Sequence, residues 1–162
     1  MSSPSYKHYQ PPKRPTETPK ASIFLAGTIE MGTAPLWQQD LADMLRDLPI
    51  AVFNPRRDDF DPNLTQEKKN KLFAEQVNWE MDYLEKCDLI ALYFVPDTKS
   101  PISLLELGLY AKDKKLIVCC PKGFWRKGNV DMVCDRHGIP LIQTYDEFKQ
   151  AIEMKARELC GK

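Results

Sequence analysis

Residues 87–120 read CDLIALYFVPDTKSPISLLELGLYAKDKKLIVCC, and this stretch decides the fold. Two short apolar runs, LIALYF (89–94) and LIVCC (116–120), flank a longer segment that has Pro101 near its start. Runs this apolar suit strands covered on both faces. Proline is well placed in the first turn of a helix. The stretch therefore reads strand, helix, strand, the unit from which parallel sheets are built.

The same alternation extends in both directions. Further strands are expected at 22–26, 51–54 and 141–143, and helices at 35–48, 73–86, 101–112, 130–137 and 146–160. The expected fold class is α/β, a doubly wound five-stranded parallel sheet of the flavodoxin-like kind, in a single domain over residues 21–162. Residues 1–20 hold five of the 13 prolines and no apolar periodicity, and read as a flexible Pro-rich tail.

Composition narrows the function. Among 162 residues Lys plus Arg and Asp plus Glu each number 23, so no field favours a polyanion and no nucleic-acid partner is expected. No apolar run reaches the length of a membrane span, and the first 20 residues lack the apolar core of a secretory signal. The five cysteines, Cys87, Cys119, Cys120, Cys134 and Cys160, show no CxxC spacing, which points to a reducing, cytoplasmic setting without a disulfide framework. His8 and His137 are the two histidines, too little material for a His-rich metal site or a Ser-His-Asp triad. GTIEMG is not GxGxxG and no GxxxxGK[ST] occurs, so dinucleotide and P-loop readings fail on spacing. No metal and no cofactor is expected.

In doubly wound sheets ligands bind beyond the carboxyl ends of the strands. That directs attention to the loops GTIEMGT (27–33), PRRDDFDPN (55–63), VPDTKS (95–100) and PKGFWRKGN (121–129). Between them lie carboxylates in apolar settings. Glu106 is the one charge in SPISLLELGLYA (100–111), with Ile102, Leu109 and Tyr110 as helical neighbours. Phe73, Val77, Glu80 and Leu84 fall at i, i+4, i+7 and i+11, which sets Glu80 on a stripe facing the sheet. An unpaired buried carboxylate is expensive, and two of them at one pocket are what cleavage of a glycosidic bond requires. The plainer alternative keeps both solvated or paired with lysines such as Lys86. Arg56 and Arg57 either grip a phosphate or are neutralised by Asp58, Asp59 and Asp61. Trp37, Phe124 and Trp125 either stack on a base or pack. Cys119 and Cys120 read as inert buried thiols, and His137 as a helix end before Gly138.

Taken together, FLAG, FNPRRDDFD, EQVNWEMD, SPISLLELG and CCPKGFWRKGNVD resemble the nucleoside 2-deoxyribosyltransferase superfamily, over about residues 22 to 145. The branch with SPIxLLELG and FWRKGNV signatures is the most similar. The resemblance implies a double displacement at the anomeric carbon of a 2′-deoxynucleoside, with Glu106 as nucleophile and Glu80, eight residues before Asp88, as the acid that handles the base. It implies substrate binding by Ala26, Gly27, Thr28 and Asp88. It also implies an Asn129 donated by a neighbouring subunit, hence a homodimer or larger homo-oligomer with shared active sites. Two positions depart from the pattern. Phe24 replaces a tyrosine common among transferases, and Ser100 stands where they usually carry Asp. A serine there is similar to the branch that hydrolyses deoxynucleoside 5′-monophosphates, and with Arg56 and Arg57 it tilts the expectation toward a nucleotide. The competing reading is a non-catalytic nucleotide-sensing domain with the same pocket.

Overall fold

The computed structural model describes residues 5–16, 21–30, 34–57 and 63–161. Alternate side chains of a strand point to opposite faces, and strand β2 (Ser22–Gly27) sorts its own accordingly: Ile23 and Leu25 enter one core cluster, Phe24 and Ala26 the other. The remaining strands are β1 (Lys7–Tyr9), β3 (Ala51–Phe53), β4 (Leu89–Tyr93), β5 (Leu116–Cys119) and β6 (Leu141–Ile142). All six are parallel, in the order β1-β3-β2-β4-β5-β6. Helices α1 (Trp37–Met44) and α5 (Tyr145–Cys160) cover the Ile23 face. Helices α2 (Lys71–Lys86), α3 (Pro101–Tyr110) and α4 (Lys127–His137) cover the Phe24 face. Without β1 the order is the flavodoxin-like one, and its switch point, where the chain changes direction across the sheet, falls between β2 and β4.

The sheet has six strands rather than the five expected. The extra one comes from the segment read as a tail: Lys7 N donates to the Ile50 carbonyl at 3.0 Å, and Asn54 N to that of Tyr9 at 2.9 Å. KHY carries no apolar run because an edge strand has one neighbour, and Tyr9 alone packs inward, stacked on Phe53. The chain beyond it stays docked, with Trp79 Nε1 donating to the Lys13 carbonyl at 2.8 Å and Arg14 paired with Asp82 at 2.9 Å. Residues 1–4 and 17–20 of that segment lie outside the described residues.

Local chemistry explains the helix limits. The Asn70 side chain accepts from Leu72 N and Phe73 N, which starts α2 at Lys71, two residues before the apolar stripe begins. Pro101 opens α3, and Gly138, at φ 65°, ends α4 directly after His137, as the sequence suggested. The first helix is shorter than its expected 35–48, running from Trp37 to Met44.

Candidate active site

The crevice at the switch point is built by Gly27, Thr28 and the segment 95–100. Thr28 N donates to the Tyr93 carbonyl at 2.9 Å, joining the ends of β2 and β4. Gly27 has φ 137°, and a Cβ there would fall on the Tyr93 backbone and on the Trp37 ring, so only glycine lets the two strand ends approach. The buried Thr28 hydroxyl accepts from Val95 N at 2.9 Å and meets the Ser100 hydroxyl at 2.5 Å. Thr98 adds a third hydroxyl, 2.9 Å from that of Ser100, and donates to the Val95 carbonyl. Ser100 precedes α3 in the left-handed region at φ 46°, and its backbone N–H and that of Lys99 donate to Glu30 Oε1 at 2.9 and 3.0 Å. A carboxylate thus rests at the positive end of α3.

Beneath this crevice α2 and α3 lie side by side on the Phe24 face, with Trp79, Tyr83, Leu107 and Tyr110 in one cluster. Each helix brings a half-buried glutamate. Desolvation pushes Glu106 up to about 8, and the charge of Glu80 adds to the shift. Desolvation also raises Glu80, to about 7, against the opposing effect of a hydrogen bond from Gln76 one turn earlier. Near neutral pH Glu106 therefore keeps its proton more firmly than Glu80 does, and a pair set apart in this way can supply one acid and one base. Gln76 also donates from Nε2 to the Pro55 carbonyl at 3.1 Å, which ties this turn of α2 to the loop after β3, while its Oε1 is buried with no hydrogen-bond partner. The apolar neighbours expected to bury Glu106 do not all do so. Tyr110 is buried, but Ile102 and Leu109 are 60% and 55% exposed, and with Leu105 they form an outward apolar band.

A family model described as nucleoside 2-deoxyribosyltransferase like matches residues 20–124, which include the switch-point crevice and both glutamates. The chain belongs to that family. No curated protein matches the sequence. Among solved structures, the crystal structure of a conserved protein from Enterococcus faecalis V583 is similar with a TM-score of 0.58 at 12% identity, over 83% of this chain and 98% of that one. At that identity the likeness concerns the fold.

This member of the family distributes its expected site residues unevenly. Ala26, Gly27, Thr28 and Ser100 come together at the crevice, and Glu80 lies near enough to Glu106 for its charge to act on it. Asp88 does not join them. Its carboxylate accepts from Ser22 N at 2.8 Å at the amino ends of β2 and β4, the opposite edge of the sheet, because it directly precedes a strand rather than following one. Arg56 is engaged as well: its guanidinium donates to the carbonyls of Ala34 and Pro35 at 2.7 and 2.8 Å, pinning the loop before α1. Arg57 is half-buried beside it, and the neutralising Asp58, Asp59 and Asp61 lie outside the described residues, as do 31–33 of the first loop. Asn129 is exposed in the first turn of α4. Of the aromatic candidates, Trp37 and Phe124 are core, whereas Trp125 is 47% exposed and flanked by Lys99 and Arg126. Phe24 packs on Trp79 with no exposure, and burial pushes the thiols of Cys119 and Cys120 up to about 12.

Sequence reasoning missed Glu30, Thr98, Gln38 and Gln76. The fully buried Gln38 donates to the Thr28 carbonyl at 3.4 Å and has an unpartnered Oε1. Glu30 sits in the loop after the first expected strand, and nothing local in the sequence distinguishes its carboxylate from a solvated one. Among the described residues no three His, Cys, Asp or Glu gather as a metal would need, and no helix is long and apolar enough to cross a membrane.

Proposed function

We propose that the protein cleaves the N-glycosidic bond of a 2′-deoxynucleoside or its 5′-monophosphate through a covalent deoxyribosyl intermediate on Glu106. The observation that carries this reading is the Glu80–Glu106 pair, two desolvated carboxyls on adjacent helices below the switch-point crevice. In the first half-reaction substrate binding shifts the pair's proton from Glu106, which holds it more firmly in the free protein, to Glu80; a Glu106 carboxylate oxygen then bonds to the anomeric carbon while the carbon–nitrogen bond breaks, its electron pair leaves with the base, and Glu80 supplies the proton to the departing base. In the second, Glu80 takes a proton from an incoming base or from water, whose nitrogen or oxygen then displaces Glu106 and regenerates its carboxylate. The sugar lies along α3 with its 5′ end toward Ser100, beneath the Thr28 and Thr98 hydroxyls.

The proposal includes a second copy of the chain. The helix that carries the nucleophile exposes Ile102, Leu105 and Leu109 on its outer side, and Asn129 stands exposed where a neighbour's site would meet it. Five free thiols, four of them buried, fit a reducing cytoplasm.

The test is chromatographic, on a panel of deoxynucleosides and their 5′-monophosphates, with and without an added free base. Base release by the wild type and not by Glu106→Ala is expected. A new nucleoside formed from the added base decides for transfer over hydrolysis. Binding without any base release would overturn the proposal in favour of a nucleotide sensor.

A further inference from the structure

Residues 5–16 precede the stretch that matches the family, yet they grip the helix that carries Glu80. After β1 the chain meets the loop that follows β3, where Gln10 Nε2 donates to the Arg56 carbonyl at 2.8 Å, and then reaches α2. There the Trp79 indole N–H donates to the Lys13 carbonyl at 2.8 Å. The Arg14 guanidinium meets Asp82 at 2.9 Å and lies 5.5 Å from the centre of the Tyr83 ring. Tyr9, Phe53 and Tyr83 stack in series, with ring centres 5.5 and 4.4 Å apart, so β1, β3 and α2 share one aromatic wall.

These contacts bracket Glu80. One turn before it, Gln76 holds the Pro55 carbonyl, and the next residue of that loop is Arg56, whose carbonyl Gln10 holds. Trp79 immediately precedes Glu80, and Asp82 and Tyr83 follow it within one turn. The Trp79 ring is fully buried, so α2 cannot rotate about its axis without leaving a buried donor unpaired. The Arg14–Asp82 pair is nearly half exposed at both ends, and such a pair contributes little to stability. What it fixes is the orientation of this turn of the helix.

We propose that residues 9–14 are a positioning strap for the reaction: they lock α2 in the rotation that presents Glu80 to the departing base, with Gln10 and Trp79 as positioning residues. The inference rests on the reading above that Glu80 protonates that base, and it adds to the machinery a segment outside the stretch matched by the family. A general acid must stand within hydrogen-bond reach of the atom that it protonates, and a misplacement of about 1 Å costs about 100-fold in rate. A rotated α2 would also open the Glu80 carboxyl to water, which favours its charged form.

The experiment measures kcat and KM for the purine substrate turned over fastest and for its N7-methyl form, in the wild type, Trp79→Phe and the double variant Gln10→Ala with Arg14→Ala. The N7-methyl base is cationic while bound to the sugar and departs as a neutral molecule, so it needs no proton from Glu80. Trp79→Phe keeps a ring and removes the N–H, and the double variant changes no core residue. For the unmodified substrate kcat is expected to fall about tenfold or more in both variants at nearly constant KM, whereas the methylated one should lose less than about twofold. An equal loss on the two substrates, or no loss on either, leaves the strap a structural role alone and overturns the proposal. In parallel, carbon-13 NMR of the side-chain carboxyls follows the ionisation of Glu80 on the Glu106→Gln background, where no second proton mixes with it. Its midpoint, about 7 in the intact protein, should fall by about one unit or more in both variants. Should no purine be turned over, the titration alone decides: a fall upholds the strap and an unmoved midpoint overturns it. Base release from no ligand at all is a failure of the reaction's reading, and the same titration then decides on the strap.

Discussion

Replacing Glu106 by glutamine should stabilise the protein by an amount that depends on pH. The native state holds the Glu106 proton up to about pH 8, whereas a solvated glutamate releases it near 4.5. Between those values the native state binds more protons than the unfolded chain, so stability falls as pH rises through the window. At neutral pH the deficit is about 3 kcal/mol, while near pH 5 it is under about 1 kcal/mol, because there the pH has only just passed the value at which the solvated carboxyl ionises. Glutamine has the same shape and no charge to desolvate. The expected result is a Glu106→Gln variant nearly as stable as the wild type at about pH 5 and more stable by about 3 kcal/mol at neutral pH, equivalent to roughly 10 °C in Tm for a domain of this size. Urea unfolding followed by far-ultraviolet circular dichroism across this range measures it. A stability difference that does not change with pH would refute the claim that the fold desolvates this carboxyl.

Two further outcomes follow from the crevice. Gly27→Ala should lose about 2 to 4 kcal/mol in urea unfolding, because the new Cβ meets the Tyr93 backbone at a φ of 137° and neither strand end can retreat; a loss below about 1 kcal/mol would show that β2 and β4 are not so tightly joined. Arg56→Ala should lower stability by about 2 to 3 kcal/mol, through two charge-assisted bonds to the Ala34 and Pro35 carbonyls, without singling out phosphorylated ligands; a selective rise in KM for 5′-monophosphates would return Arg56 to phosphate binding.

The alternation of apolar runs with amphipathic stretches was legible because strands covered on both faces and helices with one covered side leave opposite marks on composition. It placed five of the strands to within two residues, and with them the carboxyl-end loops. The sixth strand left no such mark: KHY is held by backbone hydrogen bonds to β3 and by one stacked ring, and backbone pairing is indifferent to side-chain identity. Glu106 was visible as a lone charge among apolar residues, although two of the neighbours that drew attention to it proved to face outward.

The division between the two kinds of information has a physical basis. Sequence by itself determined the α/β class, the family motifs and the presence of two glutamates on helices that border one sheet, since these depend on periodicity and order along the chain. Only the tertiary structure decided that the charge of Glu80 acts on a desolvated Glu106, that Asp88 lies at the opposite edge, that Arg56 is spent on two carbonyls, and that Glu30 caps the entrance of α3 from 70 residues away. A charge acquires its energy from the groups around it, and those groups arrive from distant parts of the chain only when it folds.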